Sequence, residues 1–110
     1  MSARLERLQA LLEQDPSNSF LSYGLAQELA SIGRLEDAAA QYRRLIAGHP
    51  DYCAAYFHGA HTLRQLGRAD DARSLYQQGI AAATRAGDLH ARSEMEAALE
   101  IGRASCRERV

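Results

Sequence analysis

Residues 19–52 read SFLSYGLAQELASIGRLEDAAAQYRRLIAGHPDY, and residues 53–86 follow as CAAYFHGAHTLRQLGRADDARSLYQQGIAAATRA. Displacing the chain by one such segment sets Pro16 on Pro50, Gly33 on Gly67, Ala38 on Ala72 and Tyr42 on Tyr76. A fixed period of about 34 residues, with helix-compatible residues between its landmarks, is the mark of a helical repeat array. It predicts an all-α fold: a right-handed solenoid of antiparallel helix hairpins, with two full repeats flanked by an N-terminal and a C-terminal helix.

Local signals divide each unit into two helices. Ser17 or Asn18 can cap a helix from Ser19 to about Ser31, and Gly33 suits the positive φ where it stops. Glu36 and Asp37 place negative charge in the first turn of the next helix, where the macrodipole favours it. Gly48 and then Pro50 stop that helix. In the second unit Asp51 is the expected cap of a helix to about Leu66, Gly67 turns it, and Asp70 and Asp71 open its partner. Thr84 stands where the period calls for proline, so this partner is expected to run on to Gly87. Asp88 then caps a final helix from Leu89 to about Glu100. Upstream, Ser2 caps a helix over residues 3–14 whose Leu5, Leu8, Leu11 and Leu12 form one apolar stripe. It corresponds to the second helix of a repeat and should cover the open end of the stack.

Residues 1–100 are therefore expected to form one domain, and residues 101–110 are set apart. Ile101-Gly-Arg-Ala-Ser-Cys-Arg-Glu-Arg-Val110 is expected to break the preceding helical pattern. Read as ATC GGA AGA GCG TCG TGT AGG GAA AGA GTG, it resembles a sequencing-adapter oligonucleotide translated in frame. The expectation is a non-native tail interrupting the natural chain near Glu100, the alternative being a basic, disordered natural tail; resequencing the gene's 3′ end decides between them. Without the tail Cys53 is the only thiol, which forms no intramolecular disulfide and agrees with a reducing compartment.

Composition narrows the function. The 110 residues carry a formal net charge of −1, and all 13 basic residues are Arg, a bias we attribute to codon usage in a GC-rich genome. With no basic run, nucleic acid is not an expected partner. The apolar stretches are too short to span a membrane. Met1-Ser-Ala-Arg-Leu-Glu6 lacks the apolar core of a signal peptide, so a cytoplasmic location is expected.

The landmarks resemble those of a known family. Ser22-x-x-Leu25-Ala26-x-x-Leu29, Ala38-x-x-x-Tyr42 and Pro50 match the pattern W-x-x-L-G-x-x-Y…A-x-x-x-F…P. Tyr56-x-x-Gly59-Ala60-x-x-Leu63, Ala72-x-x-x-Tyr76 and Thr84 match it again. The chain thus resembles the tetratricopeptide repeat proteins, of small bacterial type, over about residues 5 to 100. Ser22 in place of a large aromatic and Gly59 in place of leucine are its departures.

The resemblance implies a noncatalytic module that holds a peptide segment of a partner protein in a concave groove lined by the first helix of each repeat. The stripe positions implied are Phe20, Tyr23 and Gln27, then Phe57, His61 and Arg64, with Arg92 and Met95 from the final helix. Relatives that clamp a C-terminal carboxylate resemble one another in a Lys and an Asn on the first stripe; Tyr23 and Gln27 stand there, so that ligand class is not expected. The rival expectation is a structural unit, or a fragment of a longer scaffold, that self-associates through an exposed C-terminal helix as a homodimer.

No cofactor, metal or catalysis is expected. His58 and His61 lie three apart on a helix, but two imidazoles are only a fragment of a metal site. Cys53 begins a helix, where a thiol pKa can fall, yet no Cys, His and Asn or Asp arrangement accompanies it. The glycines are isolated and form no phosphate loop. Gln41, Arg43, Arg44, Asp70 and Arg73 are expected on a solvated outer face.

Overall fold

The computed structural model describes residues 2–108, with side chains for residues 2–101. Six helices follow one another without strands among the described residues: α1 (Ala3–Gln14), α2 (Ser19–Ser31), α3 (Leu35–Gly48), α4 (Cys53–Gln65), α5 (Ala69–Ala86) and α6 (Leu89–Glu108). Helices α2 and α3 form one hairpin and α4 and α5 the next. Helix α1 packs on α2, α3 on α4, and α5 on α6, so each helix mainly meets its neighbours in sequence. That is the quasi-one-dimensional packing of a repeat array.

Side-chain caps explain where three of the six described helices start. The Ser2 hydroxyl accepts the Leu5 amide at 3.2 Å, Asn18 Oδ1 accepts that of Leu21 at 3.0 Å, and Asp88 Oδ1 accepts that of Ala91 at 3.0 Å. Asp51 departs from expectation. Tyr52 is the N-cap of α4 and makes no side-chain cap bond. Asp51 lies one residue too early and receives Arg85 Nη2 at 3.4 Å instead. Gly33 and Gly67 turn the two hairpins with φ of 86° and 81°. With Thr84 in place of proline, α5 continues to Ala86 and stops at Gly87 in the left-handed region.

The core is two clusters in series. Leu5, Leu25, Leu29, Tyr42 and Leu45 build the first, and Tyr56, Leu63, Tyr76, Ala83 and Met95 the second. Ala26, Ala38 and Ala60 are fully buried, and Ala72 nearly so, which lets the paired helices approach closely. Tyr42 and Tyr76 fill the space between successive hairpins as expected, both almost fully buried. Gln41 is not solvated: it is 6% exposed, and its Nε2 donates to the buried Ser22 hydroxyl at 2.8 Å. Burying an amide is tolerable because its hydrogen bonds are met.

Two features at the C-terminal end differ from the sequence expectation. Helix α6 passes Glu100 and runs to Glu108. The residues between carry no proline, and a single Gly102 costs a helix only about 1 kcal/mol. Beyond Ile101 the expected tail falls outside the described side chains. The second difference is register. Helices α2, α4 and α6 begin at Ser19, Cys53 and Leu89, so their starts are separated by 34 and then 36 residues. The extension of α5 inserts two residues ahead of α6, and every position of α6 is turned accordingly.

Candidate groove on the inner face

Helices α2, α4 and α6, the first of each pair, line the face that curves inward when helical hairpins stack. Phe20, at the start of α2, is 75% exposed. One turn on, Tyr23 is half-buried, and its phenol accepts Gln27 Nε2 at 3.0 Å. Burial, and next the neighbouring Tyr52, push the Tyr23 pKa above its usual 10.0, against the Gln27 hydrogen bond, which lowers it.

An aromatic cluster ties α2 to α4. The Tyr23 ring lies 5.5 Å from Tyr52 and 5.7 Å from the His58 imidazole, and His58 stacks on Tyr42 at 6.5 Å. Phe57 presents an edge to His58 at 5.2 Å and to Tyr76 at 6.2 Å. Burial holds the His58 pKa below 6.5; His61 adds to the shift and Glu94 opposes it. His58 is therefore neutral near pH 7 and behaves as one more ring of the cluster. His61 is exposed, one turn further along α4.

Arg64 is engaged within the fold. Its guanidinium carbon sits 5.1 Å from the centre of the Tyr76 ring, and Nη2 donates to the Ala98 carbonyl of α6 at 2.8 Å. It holds α6 against α4. Between these helices opens a cleft of about 310 Å³ lined by Ala54, Phe57 and His58 on one side and by His90, Ala91 and Glu94 on the other. His90 Nε2 lies 2.8 Å from Glu94 Oε1.

The structure thus gathers Phe20, Tyr23, Gln27, Phe57 and His61 on one face, and it corrects two positions. Met95 is fully buried in the second core cluster, beside Tyr56 and Gly79. Arg92 is half-buried, with Nε 3.6 Å from Glu96 Oε1. With the spacing of 36, Met95 answers to Gly59 and Arg92 to Tyr56, which are core positions. The stripe on α6 is His90, Ser93 and Ala97, all exposed and equivalent to Ala54, Phe57 and His61. The signal was legible: Gly87-Asp88 comes two residues late relative to Pro50-Asp51-Tyr52.

Burial first, then Asp88 and Asp51, push the Cys53 thiol pKa above 9.0, the opposite of an activated nucleophile. Among the described residues no group of three or more His, Cys, Asp or Glu side chains is arranged to hold a metal ion. No described helix is long and apolar enough to cross a membrane.

A stack of helical hairpins with an aromatic inner face defines a helical-repeat protein of the interaction type. The family model for the tetratricopeptide repeat matches residues 5–52 and 23–88. The TPR repeat-containing protein PA0015 of Pseudomonas aeruginosa is 30% identical over 91 residues, covering 83% of this chain and 87% of that protein. The chain belongs to the tetratricopeptide repeat family. Among solved structures it is similar to a tetratricopeptide repeat domain protein of Salinibacter ruber, with 33% identity, a TM-score of 0.75, and coverage of 79% of this chain and 88% of that one. It is also similar to PcrH in complex with the chaperone binding region of PopD, with 25% identity, a TM-score of 0.84, and coverage of 92% and 77%. Proteins of this family are in general noncatalytic and mediate protein–protein interaction.

Proposed function

We propose that this protein holds an extended or helical peptide segment of a partner protein against the inner face of α2, α4 and α6. The observation that carries the reading is the half-exposed aromatic floor of Tyr23, Tyr52, Phe57 and His58, flanked by Phe20 and by the cleft toward His90. Aromatic side chains that are already ordered lose little entropy on binding and dominate recognition hot spots. The likeness to PcrH, solved in complex with the chaperone binding region of PopD, supports a segment of another protein as the ligand.

The rival, self-association or further docking through α6, is less well supported. A hairpin packed on α6 as α5 packs on α4 would meet Arg92 and Glu96 where α4 offers Tyr56 and Ala60. Glu96 in the place of a fully buried alanine opposes that approach. Light scattering tests the rival: a concentration-dependent dimer abolished by Leu99→Glu supports it, and a monomer removes it.

Selection of a random peptide library on the immobilised protein tests the groove. Peptides enriched on the wild type are expected to lose binding to a variant carrying Phe57→Ala and His61→Ala, once circular dichroism shows equal helicity. Peptides that bind both proteins equally would remove the reading.

A further inference from the structure

A second cleft lies where α1 and the start of α2 meet the last turns of α3. Its volume is about 360 Å³, and its walls include Leu12, Pro16, Leu45 and Gly48 above a floor of Ser22 and Gln41. The internal repeat shows what belongs there. Thirty-four residues on from Ser22 stands Tyr56, almost fully buried, whose hydroxyl donates to the Pro50 carbonyl at 2.6 Å. Pro16 occupies the position of Pro50 in the first repeat. The repeats thus share the proline and an aliphatic residue, Leu12 and Ile46, in this wall, but only the second supplies a phenol from within.

The exchange is not fully compensated. Leu45 replaces Gly79 and takes part of the ring's space from the inside, and it is itself buried. A cleft remains outside it, within the size range of small-ligand pockets. The floor is polar, and its hydrogen bonds are already met in series. Arg44 Nη1 donates to Gln41 Oε1 at 3.1 Å, and Gln41 Nε2 donates to the Ser22 hydroxyl at 2.8 Å. The ionisable groups in the lining are Arg44 and His49, and no carboxylate joins them. His49 is held by the Ser17 carbonyl at 3.0 Å.

We propose that this cleft is a binding pocket, separate from the inner groove, for one aromatic side chain of a partner, preferentially a tyrosine followed by a carboxylate. The ring lies between Leu12, Pro16 and Leu45, the phenol meets the polar floor or the Pro16 carbonyl, and the carboxylate faces Arg44. The pocket needs no peptide in the inner groove, so it stands or falls independently of the function proposed above.

Amide chemical-shift mapping with p-cresol, acetyl-Tyr-Glu-amide and acetyl-Tyr-Lys-amide tests it. Saturable shifts are expected at Ser17, Asn18, Arg44 and Gly48 with p-cresol. The glutamate peptide should bind about two- to fivefold more tightly than the lysine peptide, the effect of one exposed charge pair. Arg44→Gln should erase that preference while the p-cresol shifts persist. A Cβ added at Gly48 meets nothing within 4 Å, so Gly48→Leu, once circular dichroism shows wild-type helicity, should crowd the mouth and abolish the shifts. Shifts that survive Gly48→Leu, that fall on Phe57 and His58 instead, or that never saturate would overturn the proposal.

Discussion

Tyr56 lies across Gly79 so closely that a Cβ added to the glycine would stand 2.6 Å from the tyrosine Cβ, and closer still to the Met95 sulfur. The equivalent pair in the first repeat is Ser22 and Leu45, the same two volumes exchanged between the helices. Each hairpin holds one large and one small residue across this contact, contributed by opposite helices in the two repeats.

Gly79→Ala should therefore destabilise the protein even though alanine is the better helix former. Overpacking costs about 1 to 3 kcal/mol and the propensity gain returns about 1. Met95 can shift its flexible end, but the Tyr56 Cβ cannot move without its helix. Urea unfolding should show a lower midpoint; a raised one would mean that α4 and α5 separate freely.

The buried pair Ser22 and Gln41 makes a second prediction. Ser22→Ala leaves the Gln41 amide without its acceptor and should cost about 1 to 3 kcal/mol. Adding Gln41→Leu, the residue that Leu75 represents in the second repeat, should recover most of the loss. A double-mutant cycle measures the coupling. Additive effects would show that the hydrogen bond contributes nothing.

Arg64→Ala should loosen α6 without unfolding the first repeat. The lost guanidinium–carbonyl bond and the contact with Tyr76 together contribute about 1 to 3 kcal/mol. Hydrogen exchange should quicken in α6 around Ala98 and stay unchanged in α2 and α3. Uniform exchange would show that Arg64 has no special hold on α6.

His58 gives the molecule a pH dependence of known sign. Burial lowers its folded-state pKa below 6.5, so the unfolded chain binds the proton more readily. The corresponding stability is fully present above about pH 6.5 and is lost as the pH falls toward the folded-state pKa. Tyr23, Tyr42 and Phe57 pack around the ring, His61 adds to the lowering by its charge, and Glu94 is the one carboxylate acting to raise its pKa. Urea midpoints of the wild type should fall between pH 7 and 5 more steeply than those of His58→Gln. Parallel profiles would place the titration elsewhere.

Much of the fold was legible because its determinants are local and periodic. Gly33, Gly67 and Gly87 mark turns, Asn18 and Asp88 mark starts, and the alanine pairs mark close approaches. Asp51 misled because its carboxylate has a competing partner, Arg85, distant in sequence. The inner-face residues of α2 and α4 followed from the period. Those of α6 did not, because the two-residue insertion turns that helix, burying Met95 and exposing Ser93. Arg64 sits on the expected stripe, yet its guanidinium is taken by a carbonyl of α6. Gln41 looked like a surface residue until Ser22 was seen to provide its partner.

Residue-resolved shift mapping of a library-selected peptide tests the central claim most directly. Saturable changes concentrated on Tyr23, Phe57, His58, His61 and Ser93, with the outer residues of α3 and α5 still, are the predicted result. Changes confined to the outer helices, or to the far face of α6 around Glu96, would contradict the inner face as the binding surface.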